Sequence, residues 1–310
     1  MLCMGKIAYI FPGQGAQSVG MGKDVYDALP VSHDVFAKGD EALGFGLSRL
    51  IFEGPDSELK QTVNTQPALV TASVAYLQAL GDQAGKPDYV AGHSLGEYSA
   101  LVAAGVLRYE DAVRLVRLRG QFMEEAVPGG QGAMAAVLGA DREALSALCR
   151  NITESGHSVE LANVNCPGQI VVSGTLPGVN AVVERVKEAG AKRAIPLEVS
   201  GPFHSSLMKE AAERLAVELD KVEFSAPSVP VIANVTAAPV TDPEEIRALL
   251  VRQVYSPVLW QDTVEWLIAA GVDTFVEIGS GAVLTGLVRK VDKHVKTVTI
   301  NSLDSVQAGW

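Results

Sequence analysis

The sequence predicts an α/β protein: a parallel sheet covered by helices, with a small β-α-β-β-α-β subdomain inserted into it. Three observations carry that expectation. Of 310 residues, 48% are apolar and only 6% aromatic, with Ala, Val, Leu and Gly dominant. That composition suits strands buried on both faces. Short apolar runs end at glycine-rich loops and give way to helical spacing. The pattern then changes character at Pro128-Gly129-Gly130.

The run 6–11 (KIAYIF) reads as a buried strand stopped by Pro12-Gly13-Gln14-Gly15. Residues 65–80 have helical spacing, with Pro67 near the start, where a missing N–H is tolerated. Residues 89–91 form a second short strand, followed by Gly92-His93-Ser94-Leu95-Gly96 and an Ala- and Leu-rich helix to about 104. A further helix covers 110–126. Beyond Gly130 come a strand at 132–138, a helix at 142–150, strands at 159–165 and 169–173, a helix at 179–189 and a strand at 194–199. This order is ferredoxin-like. It divides the chain into a core of 1–127 and 200–310 and a subdomain of 128–199. The core resumes with a helix at 206–219, a strand at 229–235, helices at 243–251 and 258–270, and a strand at 274–278. Gly279-Ser280-Gly281 then leads into a helix ending near 291.

A formal charge of −11 and the lack of a basic stripe speak against nucleic acid as a partner. Arg289-Lys290 with Lys293 and Lys296 reads as a solvated helix end. The three cysteines, Cys3, Cys149 and Cys166, give no C-x-x-C pair and no disulfide framework, so a reducing compartment, the cytoplasm, is expected. Met1–Met4 runs directly into Gly5-Lys6 and the first strand, which does not read as a signal peptide. No apolar run is long enough to span a membrane, and no cluster has metal-ligand spacing; neither a metal nor a cofactor is expected.

Gly92-His93-Ser94-Leu95-Gly96 fits G-x-S-x-G. A serine on a sharp strand-to-helix turn needs small neighbours, because the backbone there is strained and closely packed. The following helix aims its N-terminal N–H groups at the same spot. His93 itself reads as a packed support for the turn. In the helix 110–126, Ala112, Leu115, Val116, Phe122 and Met123 form an apolar stripe at about 100° per residue. Arg119 falls inside it, while Arg114, Arg117 and Gln121 face the other way. A guanidinium there either grips a substrate carboxylate, pairs with a buried Asp or Glu, or snorkels to the surface. Of five histidines, His33, His157 and His294 sit among polar residues. His204, in Gly201-Pro202-Phe203-His204-Ser205, follows a strand and is the candidate base, with a structural loop histidine as the alternative.

Seven stretches in order resemble one family. They are Phe11-Pro12-Gly13-Gln14-Gly15-Ala16-Gln17, Gly92-His93-Ser94-Leu95-Gly96-Glu97, Arg117-Leu118-Arg119-Gly120 and Gly201-Pro202-Phe203-His204. Asn234-Val235-Thr236, Gln253-Val254-Tyr255-Ser256-Pro257-Val258-Leu259-Trp260 and Glu277-Ile278-Gly279-Ser280-Gly281 complete the set. Nearly the whole chain is similar to the malonyl-CoA:acyl carrier protein transacylases, the discrete acyltransferases of fatty-acid synthesis. The resemblance implies an α/β-hydrolase-like core with the ferredoxin-like insertion. It implies Ser94 as nucleophile, His204 as base, and Arg119 as the partner of the malonyl carboxylate. Gln14 and Leu95 would supply oxyanion N–H groups. The Gln253 main-chain carbonyl would orient the histidine, giving a Ser-His dyad. Bulky Phe203 would favour malonyl over branched acyl groups. Malonyl-CoA and acyl carrier protein are the implied partners. An acidic carrier would need a local basic patch, with Lys192-Arg193 and the 289–296 cluster as candidates. The rival readings are a serine hydrolase or thioesterase, a transferase for another acyl-CoA, and a non-catalytic acyl-thioester binder.

Overall fold

Six residues, Lys6–Phe11, form strand β1, and the core is laid out from it. The computed structural model describes residues 5–81 and 85–309, so Cys3 and the Met1–Met4 stretch lie outside it. Helices α1 (Lys23–Ala28), α2 (Pro30–Leu43), α3 (Leu47–Glu53), α4 (Asp56–Leu59) and α5 (Thr62–Leu80) precede β2 (Tyr89–Gly92). Then come α6 (Gly96–Ala103) and α7 (Tyr109–Glu125). The next block is β3 (Gly132–Leu138), α8 (Arg142–Glu154), β4 (Val159–Cys166), β5 (Gln169–Thr175), α9 (Leu176–Arg185) and β6 (Arg193–Pro196). The chain closes with α10 (Lys209–Leu219), β7 (Val231–Ala233), β8 (Ala238–Val240), α11 (Pro243–Val254) and α12 (Trp260–Ala269), then β9 (Val272–Ile278), α13 (Val283–Val291), β10 (Lys296–Ile300) and α14 (Leu303–Ala308).

The larger sheet runs β10-β9-β1-β2-β7-β8. Every pairing in it is parallel except β7 with β8. Ala8, Ile10 and Phe11 in its centre are fully buried, as expected for strands covered on both faces. The smaller sheet is antiparallel, in the order β4-β5-β3-β6. Counting its own strands along the chain, that order is 2-3-1-4, the ferredoxin-like arrangement. It has its own apolar cluster around Val137, Leu145, Val172 and Val182. One edge, β4, is tied to the core: Val164 N–H donates to Val258 O at 2.9 Å, and Val258 N–H to Ala162 O at 2.8 Å. The other edge, β6, faces solvent and ends at Pro196.

Several elements differ from the sequence expectation for identifiable reasons. Helix α5 begins at Thr62, so Pro67 lies inside it rather than near its start. The Val63 carbonyl, which a non-proline residue at 67 would have bonded, instead receives Arg117 Nη1 at 3.4 Å. Helices α1, α3 and α4, of 6, 7 and 4 residues, are too short to show a helical period, while the 14-residue α2 buries Ser32 and Gly39 beside Val35 and Phe36, a face that a purely apolar pattern does not register. Strands β8 and β10 and helix α14 are likewise short, and β10 is only half-buried over most of its length. The strand expected at 229–235 shrinks to β7, and the one at 194–199 to β6. The Glu277 carboxylate, fully buried, accepts from Leu284 N and Thr285 N at 3.0 and 2.7 Å. It thereby holds the start of α13, which accounts for the buried acid in Glu277-Ile278-Gly279-Ser280-Gly281. Among the described residues no helix is long and apolar enough to cross a membrane.

Candidate active site

Strand β2 delivers Ser94 into a turn whose backbone has φ 52° at the serine. Both flanking glycines are steric necessities. A Cβ at Gly92 would lie 2.0 Å from the Gly96 carbonyl, and one at Gly96 would lie 2.2 Å from Phe11 O. Asn234, at the end of β7, straps the turn. Its Oδ1 accepts from Ser94 N at 2.8 Å, and its Nδ2 donates to Gly92 O at 2.7 Å. The left-handed conformation at the serine is thus held by a tertiary contact rather than by local preference.

Ser94 Oγ lies 2.7 Å from His204 Nε2. His204 Nδ1 faces the Gln253 main-chain carbonyl at 2.9 Å. A carbonyl only accepts, so Nδ1 carries the proton and Nε2 is left to accept from the serine. Burial first, and the nearby Arg119 cation second, push the His204 imidazole down to about 3. The ring is therefore neutral and able to take a proton at ordinary pH.

Arg119 is 1% exposed and projects from α7 into the same site. Nη1 donates to Gln66 Oε1 at 2.7 Å, and Nη2 donates to Ser94 Oγ at 3.1 Å and Gln253 Oε1 at 3.0 Å. Nε is buried without an acceptor among the described residues. All three acceptors are neutral. The burial rules out snorkelling, and no described carboxylate lies within ion-pair distance. The nearest acid in this network, Glu97, meets Gln253 rather than Arg119. Burial, only partly offset by the Gln253 and Asn234 hydrogen bonds, pushes its carboxyl up to about 7. A buried cation with only neutral acceptors is costly unless an anion arrives.

These groups line a cleft of about 110 Å³ between the two sheets. The core contributes Gln14, Gln66, His93, Ser94, Leu95, Arg119, Met123, Phe203 and His204; the subdomain contributes Met134, Asn163, Leu197 and Val199. Neither the Gln14 nor the Leu95 main-chain N–H has an acceptor among the described residues, and both residues border the serine's side of the cleft. Phe203 is 6% exposed, with its ring on the cleft wall. His93 turns away from Ser94 Oγ: its Nε2 pairs with Asn165 Oδ1 at 2.8 Å, bridging core to subdomain. His33, His157 and His294 are exposed. A larger surface groove of about 460 Å³ runs beside α8 and includes Cys149, but burial pushes that thiol up to about 12. It offers no histidine and no activated nucleophile. Among the described residues no three His, Cys, Asp or Glu side chains gather to hold a metal ion.

Every site residue named from the sequence thus borders one cleft or directly contacts a group that does. Three functional neighbours were missed as individuals. Asn234 and Glu97 lay within quoted motifs but had no assigned role. Gln66 is buried on α5 together with Thr62, Thr65, Thr71 and Ser73, so it does not stand out there as Arg119 does on α7.

A family profile described as "Acyl transferase domain" matches residues 8–303. The chain is 54% identical over 304 residues to the malonyl CoA-acyl carrier protein transacylase of Bacillus subtilis (strain 168), covering 98% of this chain and 96% of that one. An acyl carrier protein S-malonyltransferase from Vibrio cholerae O1 biovar eltor superposes with a TM-score of 0.95 at 46% identity, covering 98% of this chain and 99% of that one. A malonyl-transacylase solved in complex with its type II PKS acyl-carrier protein superposes with a TM-score of 0.94 at 45% identity, covering 98% of each.

Proposed function

Because this chain belongs to the acyl transferase family, among its malonyl CoA-acyl carrier protein transacylases, we infer that it moves a malonyl group from malonyl-CoA to acyl carrier protein. The observation that carries the mechanism is the Ser94–His204 contact of 2.7 Å beside a buried arginine with only neutral partners.

The malonyl carboxylate supplies the anion that Arg119 lacks, and its planar charge suits the guanidinium. His204 Nε2 takes the Ser94 proton while Oγ attacks the thioester carbonyl. The tetrahedral oxyanion meets the Leu95 and Gln14 N–H groups, which have no acceptor among the described residues. His204 returns its proton to the departing coenzyme A sulfur, leaving a malonyl ester on Ser94. The carrier's phosphopantetheine thiol then gives its proton to His204 and attacks the ester carbonyl; as the bond to Ser94 Oγ breaks, His204 returns that proton to Oγ, and the malonyl thioester leaves. Pairing Arg119 with a carboxylate removes one of the causes that depress His204, so substrate strengthens the base it needs. Phe203 bounds the cleft where an α-substituent on the acyl chain would have to fit.

A serine hydrolase would share the serine and histidine, but typically adds an acid behind the histidine. Here that place is taken by the Gln253 carbonyl. The cytoplasm is the proposed location, which suits the free and buried Cys149 and Cys166. Intact-protein mass spectrometry after malonyl-CoA treatment tests the whole reading. One stable malonyl adduct, absent in Ser94→Ala and discharged by holo carrier protein, is expected. Rapid release of free malonate without an acceptor would replace transfer with hydrolysis.

A further inference from the structure

Glu97 follows the nucleophile by one helical turn and is 2% exposed, yet it forms no ion pair among the described residues. Its Oε2 accepts from Gln253 Nε2 at 2.7 Å and from Asn234 N at 3.1 Å. The opposite end of the same amide, Gln253 Oε1, accepts from Arg119 Nη2 at 3.0 Å. The main chain of Gln253 holds His204 Nδ1 at 2.9 Å. One residue therefore touches both the cation and the base.

An amide can turn over about its last bond and exchange oxygen for nitrogen. Turned over, Gln253 would aim N–H at the Arg119 N–H groups, donor against donor. Glu97 Oε2, which accepts from both Gln253 Nε2 and Asn234 N, is held as an acceptor and so favours one orientation of that amide. The other glutamine on Arg119 has a weaker lock: Gln66 Nε2 reaches only Met123 Sδ, at 3.7 Å.

We propose that Glu97 is a positioning residue for acyl-group selectivity: it anchors the Gln253 amide with its oxygen toward Arg119, and so holds the guanidinium where a substrate carboxylate meets it. The proposal rests on the malonyl-transfer reading and adds to it a residue that touches no substrate. Gln253 Nε2 also donates to the Ser94 carbonyl at 3.0 Å and lies 3.4 Å from Asn234 Oδ1, so Glu97, at 2.7 Å, is the shortest of three anchors. Without it the acceptor on Arg119 is held less firmly, and the carboxylate-bearing thioester loses advantage over one lacking the carboxylate.

The experiment compares acylation kcat/KM for malonyl-CoA and acetyl-CoA. Glu97→Met keeps the length and removes the acceptor; Glu97→Asp keeps the charge but withdraws it; Glu97→Gln restores an acceptor oxygen. Glu97→Met and Glu97→Asp are expected to lower the malonyl-to-acetyl ratio by about tenfold or more, the scale of one hydrogen bond to a charged group. Glu97→Gln should stay within about threefold of wild type, since its oxygen can accept both bonds. Gln253→Met, which keeps the main-chain carbonyl, should match Glu97→Met, and the double variant should be no worse than either alone. Equal losses on both thioesters, or single effects that multiply, would overturn the proposal. Should Glu97→Met not fold, Glu97→Asp carries the same comparison. A wild-type protein that is never malonylated would instead sink the underlying reading.

Discussion

Two walls face each other across the cleft, and they are made of different material. The core wall holds Ser94, His204, Arg119 and the Gln14 and Leu95 N–H groups, and its three side chains are fixed by bonds of 2.7 to 3.1 Å to one another and to Asn234, Gln253 and Gln66. The subdomain wall is Met134, Leu197 and Val199, with Asn163 as its one polar side chain. Chemistry needs reacting atoms held in place, and the core supplies that through a connected polar network. The other wall needs only to exclude water and shape the space. The comparison assigns large, substrate-selective losses to one wall and small shifts in acyl tolerance to the other.

The largest effect should come from the nucleophile. Ser94→Ala is expected to lower malonyl transfer by roughly 10⁴-fold or more, measured with carrier protein as acceptor. Residual transfer within a hundredfold of wild type would break the division, because another group would then be carrying the acyl chain. Next comes Arg119→Ala. Losing a buried partner of a carboxylate should reduce malonyl-CoA acylation by roughly 10²–10³-fold. Acetyl-CoA acylation should fall far less, and parallel losses on the two thioesters would remove the arginine's role.

A pH series sharpens the comparison from the core side. Burial and Arg119 hold His204 near 3, below its ordinary value of 6.5. The folded ring is therefore the neutral, proton-accepting form throughout that interval, and the base is lost only as pH falls through the depressed value. Acylation kcat/KM should show no acid limb near 6.5. In the acyl-enzyme the malonyl carboxylate occupies Arg119, so the limb in kcat should lie at higher pH than the limb in kcat/KM. The same depression has a stability consequence. Between 6.5 and about 3 the unfolded chain binds a proton that the folded chain refuses. His204's contribution to stability should therefore decline as pH falls through that window, while Glu97, raised to about 7, contributes in the opposite sense. The stability gap between wild type and His204→Ala in denaturant titrations isolates the histidine, and should shift against wild type as pH falls from 6.5 towards 3.

Much of this division was legible beforehand because each wall leaves a different trace. The serine turn needs glycines at 92 and 96, since each Cβ would strike backbone, and composition records that need directly. Arg119 stood out because a charge on an apolar stripe breaks the helical period. Gln66 has no such mark: α5 is buried on every side from 65 to 76 and buries several other polar residues, so no stripe singles out the amide. Asn234 and Glu97 act through residues 137 or more positions away, a pairing that no local pattern encodes. Helices α1, α3 and α4 are too short to carry a period, so packing rather than propensity makes them helical; on the 14-residue α2 half of the buried face is Ser32 and Gly39, which an apolar pattern does not reveal.

The smallest effect should come from the subdomain wall, where Met134 and Leu197 differ instructively. Met134 is 5% exposed in the cleft lining, whereas Leu197, just past the free edge strand, is 37% exposed. Removing Met134's side chain opens space inside a closed surface, so Met134→Ala should cost roughly 2–5 kcal/mol of stability as well as widening the cleft. Leu197→Ala removes a side chain already partly in water and should leave stability within about 1 kcal/mol of wild type. Neither substitution touches the polar network, so malonyl acylation of the folded protein should fall by less than about tenfold, the span of one modest hydrophobic contact. Their signature should instead be a rise in acylation by α-branched acyl-CoA relative to malonyl-CoA, larger for Met134→Ala. A collapse of malonyl transfer in Leu197→Ala, with the fold intact, would mean that the subdomain wall takes part in the chemistry after all.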